Sequence, residues 1–182
     1  MIYELADGYY VRGLREEDLD GPYPSWFEDQ EVCHFNSHGK FFKTTEWFRE
    51  FYHNLNREDR VVWAICHHED GHIGNVSLQS ISFINRNAEY AIVIGNPRHW
   101  RKSVGLNASL ALLRHGFQKL NLERVYCGTA ATNLGMQKLA VQMGMVEEGR
   151  RRKHLFLNGE MVDMIEYGVL RQDFGPGGDA TA

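Results

Sequence analysis

The chain has 182 residues, 43% hydrophobic and 24% charged, enough for one domain with a sizeable core and short for two. A formal net charge of −4 gives no general attraction to nucleic acid or to anionic membranes. No apolar run approaches the roughly 20 residues of a membrane-spanning helix. Cys33, Cys66 and Cys127 are widely spaced and form no CxxC pair, which argues against a disulfide framework or a zinc ribbon. No basic stretch followed by an apolar one opens the chain, so no signal peptide is evident, and a soluble cytoplasmic protein is expected.

Tyr9–Leu14 reads as a short first strand. Glu16–Val32 carries Trp26 and Phe27 among Pro and Gly, which suggests short helical turns. Thr44–Leu55 is an amphipathic helix: Trp47, Phe51 and Leu55 fall four apart, and Thr44 or Thr45 supplies a cap. Arg60–His67 is strand-like, Glu69-Asp70-Gly71 has turn chemistry, and His72–Ile81 returns as a strand. Ala88–Gly95 is a third strand of a meander. After the polar loop Asn96–Val104, Gly105–Leu120 repeats Leu106, Leu110, Leu113, Phe117 and Leu120 at helical spacing. Arg124–Thr129 is a strand. Asn133–Met143 is a helix capped by Asn133, with Met136, Leu139, Ala140 and Met143 on one face. Arg151–Leu157 and Glu160–Leu170 form a hairpin around Asn158-Gly159.

This order predicts an α/β (α+β) domain over residues 1–174: a single mixed, mostly antiparallel sheet flanked by helices. The passage from Ala88 to Thr129 is a crossover that joins parallel strands. The segment 175–182 lacks large apolar residues and is expected to be a disordered tail.

The loop Asn96–Gly105 carries the chemistry. A helix start presents unpaired N–H groups and partial positive charge. Small Ser103 and Gly105 let a phosphate approach the backbone, and Arg98, Arg101 and Lys102 add charge. A pyrophosphate suits this site. A solvated loop with incidental basic residues is the alternative. Neither GxxxxGK[ST] nor GxGxxG is present.

From Val61 to Leu170 the sequence resembles the GNAT acetyltransferase superfamily, in its Rim-type branch of ribosomal-protein N-terminal and amino-sugar acetyltransferases. The stretches that carry the resemblance are Trp63–Ile65, His72–Leu78, Ala88–Gly95, Trp100–Ala108, Leu120–Tyr126, Asn133 with Gly144-Met145, Glu147–Arg150 and Asn158–Asp163. Weaker similarity reaches back to Tyr9. The resemblance implies a GNAT fold and acetyl-CoA as cosubstrate. It implies that the pantetheine arm pairs with Ile92, Val93 and Ile94. The pyrophosphate would sit on Trp100, Arg101, Lys102, Ser103, Val104 and Gly105, with Asn133 near the pantetheine. Two positions depart from the family pattern. Ser103 stands where Gly is usual, which costs conformational freedom if a positive φ is needed. Ala140 stands where a Tyr or Phe is frequent, and Ala cannot protonate the departing thiolate.

Acyl transfer to an amine needs the neutral amine, although an alkyl ammonium has a pKa of about 10.4, so a base must take its proton. Glu89, on the strand leading to the loop, is the first candidate; a structural or solvated strand-end Glu is the alternative. Tyr90 is a second candidate, although strand alternation points it to the opposite face and into the core. His38, ahead of the Thr44 helix, is the third. A backbone N–H at Ile92–Ile94 is suited to the oxyanion. Cys127 is expected to pack in the sheet. His67, His68 and His72 suggest no metal, since adjacent strand residues face opposite ways. Trp26, Phe27, Phe35 and Phe41 form either a substrate wall or core. Arg150–Lys153 alternates faces on a strand, so half of it is expected to be solvated.

The expected function is acetyl transfer to a primary amine of an amino sugar or sugar nucleotide. A protein N-terminus is the alternative acceptor. A non-catalytic acyl-CoA-binding module and a degenerate nucleotide-binding protein are the rivals from other classes. No nucleic-acid or membrane partner is expected, and a homodimer is a candidate assembly.

Overall fold

The computed structural model describes residues 1–56 and 58–175. Beyond Gly175, the segment expected to be a disordered tail lies outside the described residues. The strands are β1 (Ile2–Glu4), β2 (Tyr9–Gly13), β3 (Val61–His67), β4 (Gly71–Ser82), β5 (Asn87–Ile94), β6 (Arg124–Ala130), β7 (Val146–Leu157) and β8 (Glu160–Leu170). They form one sheet in the order β1-β2-β3-β4-β5-β6-β8-β7. Every neighbouring pair is antiparallel except β5 and β6, which run parallel. The helices are α1 (Thr45–His53), α2 (Val104–Gln118) and α3 (Leu134–Gln142). The expected mixed, mostly antiparallel sheet with flanking helices is therefore present, and the α2 crossover joins its one parallel pair. No helix among the described residues is long and apolar enough to cross a membrane.

Local chemistry accounts for the element ends. Thr44 caps α1 by accepting from the Trp47 N–H, and Asn133 caps α3 by accepting from the Met136 N–H. Asn158 and Gly159 both take positive φ, as a two-residue hairpin turn requires. The expected helical turns before α1 are single 3-10 turns at Glu16–Asp20 and Pro24–Phe27.

Two elements differ from the sequence reading. β1 has three residues, too few for a periodic signal. β7 begins at Val146 rather than Arg151, and its residues are almost all exposed because it is an edge strand. Register shifts at Glu147/Gly149 and Arg151/Leu155 break its alternation further.

The sheet is covered differently on its two faces. On one, Leu112 and Leu113 of α2 and Ala140 of α3 join Ile73, Val76, Val125 and Ile165 in the main core. On the other, a smaller cluster of Leu19, Tyr23, Trp26 and Phe48 covers the β2–β4 side. Beside it lies a buried ion pair: Arg12 donates to both Asp18 carboxylate oxygens at 2.8 and 2.7 Å. His72 Nδ1 lies 3.4 Å from the same carboxylate, and the Arg15 N–H donates to it at 2.7 Å. Burial alone would raise the Asp18 carboxyl; the hydrogen bonds from Arg12 and the Arg15 backbone, with the nearby His72 ring, outweigh it and hold the group far below the usual carboxylate range. In turn the Asp18 hydrogen bond raises the Arg12 guanidinium further above its ordinary value.

Asp18→Asn leaves the Arg12 cation buried without its counter-charge and should cost about 3–5 kcal/mol, read from urea denaturation at pH 7. Because the folded carboxyl is depressed, its contribution is present above the unfolded pKa of about 3.9 and is lost as pH falls below it. The gap between wild type and variant should therefore narrow on acidification below about pH 4 and stay constant above it.

Candidate active site

The site begins where β5 and β6 part. They pair in register only at Asn87–Arg124, Ala88–Val125 and Glu89–Tyr126. β5 continues to Ile94 and β6 to Ala130, with no further ladder pair between them. The opposite edge of β5 stays paired, from Gln79–Glu89 through Gly74–Ile94 on β4. Along Tyr90–Ile94 the backbone groups facing β6 are thus open inside the sheet, and an extended amide-bearing molecule can pair with them. At the end of the strand the Trp100 indole N–H donates to the Ile94 carbonyl at 2.7 Å, which holds the chain as it turns into the loop.

The loop leads directly to an uncapped helix start. Ser103 occupies the N-cap position of α2 and makes no side-chain cap. The N–H groups of the first turn therefore have no protein side-chain acceptor there. Arg98, Arg101, Lys102 and Ser103 are exposed, and Val104 is buried beneath them. A Cβ at Gly105 would meet only Ile92 Cδ1 at 3.9 Å, so packing does not demand glycine at this position. An anion is well matched to this end of α2. Ser103 does not meet the condition under which it would cost conformational freedom, a positive φ. Its φ is −65°, and the left-handed residue of the loop is Arg101, at φ 59°. The Ser103 hydroxyl lies 3.4 Å from the Asp7 carboxylate.

Asn133 is half-buried at the start of α3, where its Oδ1 caps the helix at 3.1 Å. Ala140 is fully buried in the core. None of the nine residues of α3 carries a hydroxyl.

Of the three candidate bases, only two are accessible. Glu89 is exposed on the last paired rung, beside Gln79 and Tyr126. Tyr90 faces the other way: it is 2% exposed, with its hydroxyl 2.5 Å from Ser109 of α2. Burial raises the phenol well above its ordinary value, and Tyr90 is a core residue here, as strand alternation predicts. His38 is exposed in a single turn, His38–Lys40. Its ring meets Phe27 edge-on at 5.2 Å, and its Nδ1 lies 3.4 Å from Lys43 Nζ. Desolvation and the Lys43 charge lower its pKa, which favours the neutral imidazole at pH 7. No hydrogen bond or ion pair joins His38 to Glu89 among the described residues. Cys127 packs in the core, and burial, reinforced by the Glu89 charge, pushes its thiol up to about 12.

The face that carries Glu89 is bounded by the segment before α1. Asn158 donates to the His34 carbonyl at 3.4 Å, and Lys40 donates to that of Phe156, which ties this segment to the tip of the β7–β8 hairpin. Trp26 is buried and Phe27 packs against it, whereas Phe35 and Phe41 are exposed. The aromatic set therefore divides between core and surface. Arg150 and Arg151 of the basic run pair with Asp163 and Glu166 at 3.4 and 2.6 Å. His67 and His68 contact different carboxylates, Asp70 at 3.3 Å and Glu4 at 3.4 Å.

Two features near the site were not read from the sequence. Trp26 lies so close over Gly95 that a Cβ there would overlap its indole. His99, in the middle of the polar loop, is 2% exposed. Its place after Pro97 and Arg98 gives no periodic signal of burial.

Comparison with known proteins identifies the arrangement. A family model described as an acetyltransferase (GNAT) domain matches residues 10–146. A spermidine N(1)-acetyltransferase of Vibrio cholerae is 29% identical over 149 residues, 82% of this chain and 80% of that protein. A putative ribosomal N-acetyltransferase of Bacillus subtilis is 29% identical over 101 residues, covering 56% of this chain and 55% of its own. The crystal structure of the Vibrio cholerae spermidine N-acetyltransferase in complex with CoA and spermine superposes with a TM-score of 0.83 at 23% identity, over 92% of this chain and 98% of that one, and so shares the fold. With most of its length matched by the family model, the chain belongs to the GNAT acetyltransferases and is an acetyl-CoA-dependent N-acetyltransferase.

Proposed function

We propose that acetyl-CoA lies in the opening between β5 and β6, with its diphosphate on the first turn of α2, and that the acceptor is a polyamine. The observation that carries the cofactor placement is the run of unpaired β5 backbone leading straight into an uncapped helix start. The pantetheine amides pair along Ile92–Ile94. Trp100–Gly105 receives the diphosphate, with Arg101 and Lys102 supplying charge, and Asn133 borders the opening from α3.

The polyamine reading rests on similarity to spermidine acetyltransferases over four-fifths of the chain. It replaces the expected amino-sugar acceptor, and it fits the charge of the accessible face. Glu89 is exposed beside the opening, and Glu28, Asp29 and Glu31 are exposed on the segment before α1. An alkylammonium chain is drawn to such a face.

In the reaction Glu89, directly or through one water, takes a proton from the acceptor ammonium. The amine nitrogen then bonds to the acetyl carbonyl carbon, and a backbone N–H of Ile92–Ile94 donates to the developing oxyanion. Collapse breaks the carbon–sulfur bond. The second amine proton leaves with the amide product's conversion to its neutral form and is taken up by solvent. The departing thiolate, like a cysteine of pKa about 8.5, is a fair leaving group that solvent can protonate. Ala140 in place of a phenol is compatible with this route.

Three measurements test the reading. Purified enzyme should release CoA thiol with spermidine or spermine and far less with glucosamine-type sugars or N-terminal peptides. Preference for a peptide would assign the protein N-terminus instead, and no turnover with any amine would leave a binding module. Glu89→Gln should slow turnover by about 100-fold or more with little change in the KM for acetyl-CoA; an unchanged rate across pH removes Glu89 as the base. Gly105→Asp places a negative charge against the diphosphate and should weaken CoA binding about tenfold, roughly 1.4 kcal/mol, by calorimetry.

A further inference from the structure

His99 is the only fully buried side chain between Asn96 and Ser103; its neighbours in this loop are exposed or half-buried. Both of its ring nitrogens meet polar groups from other elements. Nδ1 lies 2.8 Å from the Tyr9 hydroxyl on β2. Nε2 lies 3.1 Å from Oδ2 of Asp70, in the turn between β3 and β4, a close electrostatic contact without full hydrogen-bond alignment. The same Asp70 oxygen lies 3.3 Å from His67 Nδ1. The Tyr9 ring packs on His67 and His99 at 4.9 and 5.5 Å, and those two imidazoles are 5.3 Å apart.

The neutral tautomer with its proton on Nε2 suits this arrangement: Nδ1 accepts from Tyr9, and the Nε2 proton faces the carboxylate. Burial, with the nearby Lys102 charge, lowers the pKa of His99 and favours that neutral form. Apart from this ring, the loop is held at its start by the Asn96 N–H, which donates to the Ile73 carbonyl of β4 at 3.1 Å, by the Trp100–Ile94 and Asn96–Arg98 hydrogen bonds, by the turn of its backbone and by the 3.4 Å contact of Ser103 with Asp7. The Trp100 bond fixes where the loop leaves β5. His99 alone ties its middle to β2 and to the β3–β4 turn.

We propose that His99, clamped by Tyr9 and Asp70, is a positioning residue for the cofactor: it presets the loop so that the first-turn N–H groups of α2 and the Arg101–Lys102 pair meet the diphosphate in one geometry. A loop that must order itself on binding loses affinity. The clamp removes that loss without touching the ligand. The inference rests on the placement of the diphosphate at this loop.

The test separates cofactor affinity from chemistry. His99→Ala should raise the KM for acetyl-CoA and the Kd of CoA about tenfold, with kcat at saturating acetyl-CoA and the acceptor KM little changed. Tyr9→Phe removes one hydroxyl and keeps the ring stack; it should weaken CoA by a factor of about two to ten in a protein that still folds. His99→Gln, which can both accept from Tyr9 and donate to Asp70, should recover part of the lost affinity. CoA affinity unchanged in His99→Ala and Tyr9→Phe, while Gly105→Asp weakens it, would overturn the clamp and leave the site in place. A fall in thermal stability and kcat with no change in cofactor affinity would assign His99 a structural role and also overturn it. If Gly105→Asp is silent as well, the diphosphate lies elsewhere, and the placement falls together with the clamp.

Discussion

Beyond Glu89, β4 is the only strand that pairs with β5. That partial pairing is the constraint from which the site follows. A strand in the middle of a sheet normally satisfies both edges; here seven residues of β5 pair along one edge and three along the other. Open backbone groups inside a sheet are costly unless solvent or a ligand meets them. The two helices that follow the diverging strands, α2 and α3, start beside the opening, so an extended amide chain and an anion find complementary groups in sequence along one path.

The division of labour between the two faces of the sheet follows from the same geometry. The α2–α3 face is apolar and holds Tyr90, Cys127 and Ala140 out of solvent. Strand alternation then sends Glu89 to the opposite face, where the first part of the chain wraps over β2–β4 and reaches the β7–β8 hairpin. That second layer is small, with four buried apolar side chains, and it leans on the Arg12–Asp18–His72 group and on aromatic packing. A buried ion pair is a poor source of net stability compared with apolar packing, but it fixes the position of the turns that carry Trp26 and Phe27.

Much of this was legible in the sequence because local chemistry and periodicity agreed. Thr44 and Asn133 cap the helices they were expected to cap, Asn158-Gly159 makes its hairpin, and the Ala88–Thr129 crossover joins parallel strands. The failures are equally physical. β1 is too short to have a period, and β7 is an edge strand whose exposed, charged residues give no alternation. Ser103 in place of the usual glycine would carry a cost only if it took a positive φ, and the positive φ falls two residues earlier, on Arg101; loop dihedrals are not encoded in residue type alone. His99 reads as one more polar loop residue, and only the three-dimensional approach of Tyr9 and Asp70 makes it interior. In the candidate site, a basic helix start suited to an anion could be read from Arg98–Gly105, whereas what holds that loop could not.

The contact between Trp26 and Gly95 has a consequence for how such a chain can change over time. The indole occupies the space a side chain at position 95 would need. Any larger residue at 95 is therefore admissible only after position 26 has become smaller, and a smaller residue at 26 leaves a void until 95 fills it. The two positions form one inherited unit whose order of substitution is constrained. They join the segment before α1 to the end of β5, so these two parts of the chain cannot drift apart independently.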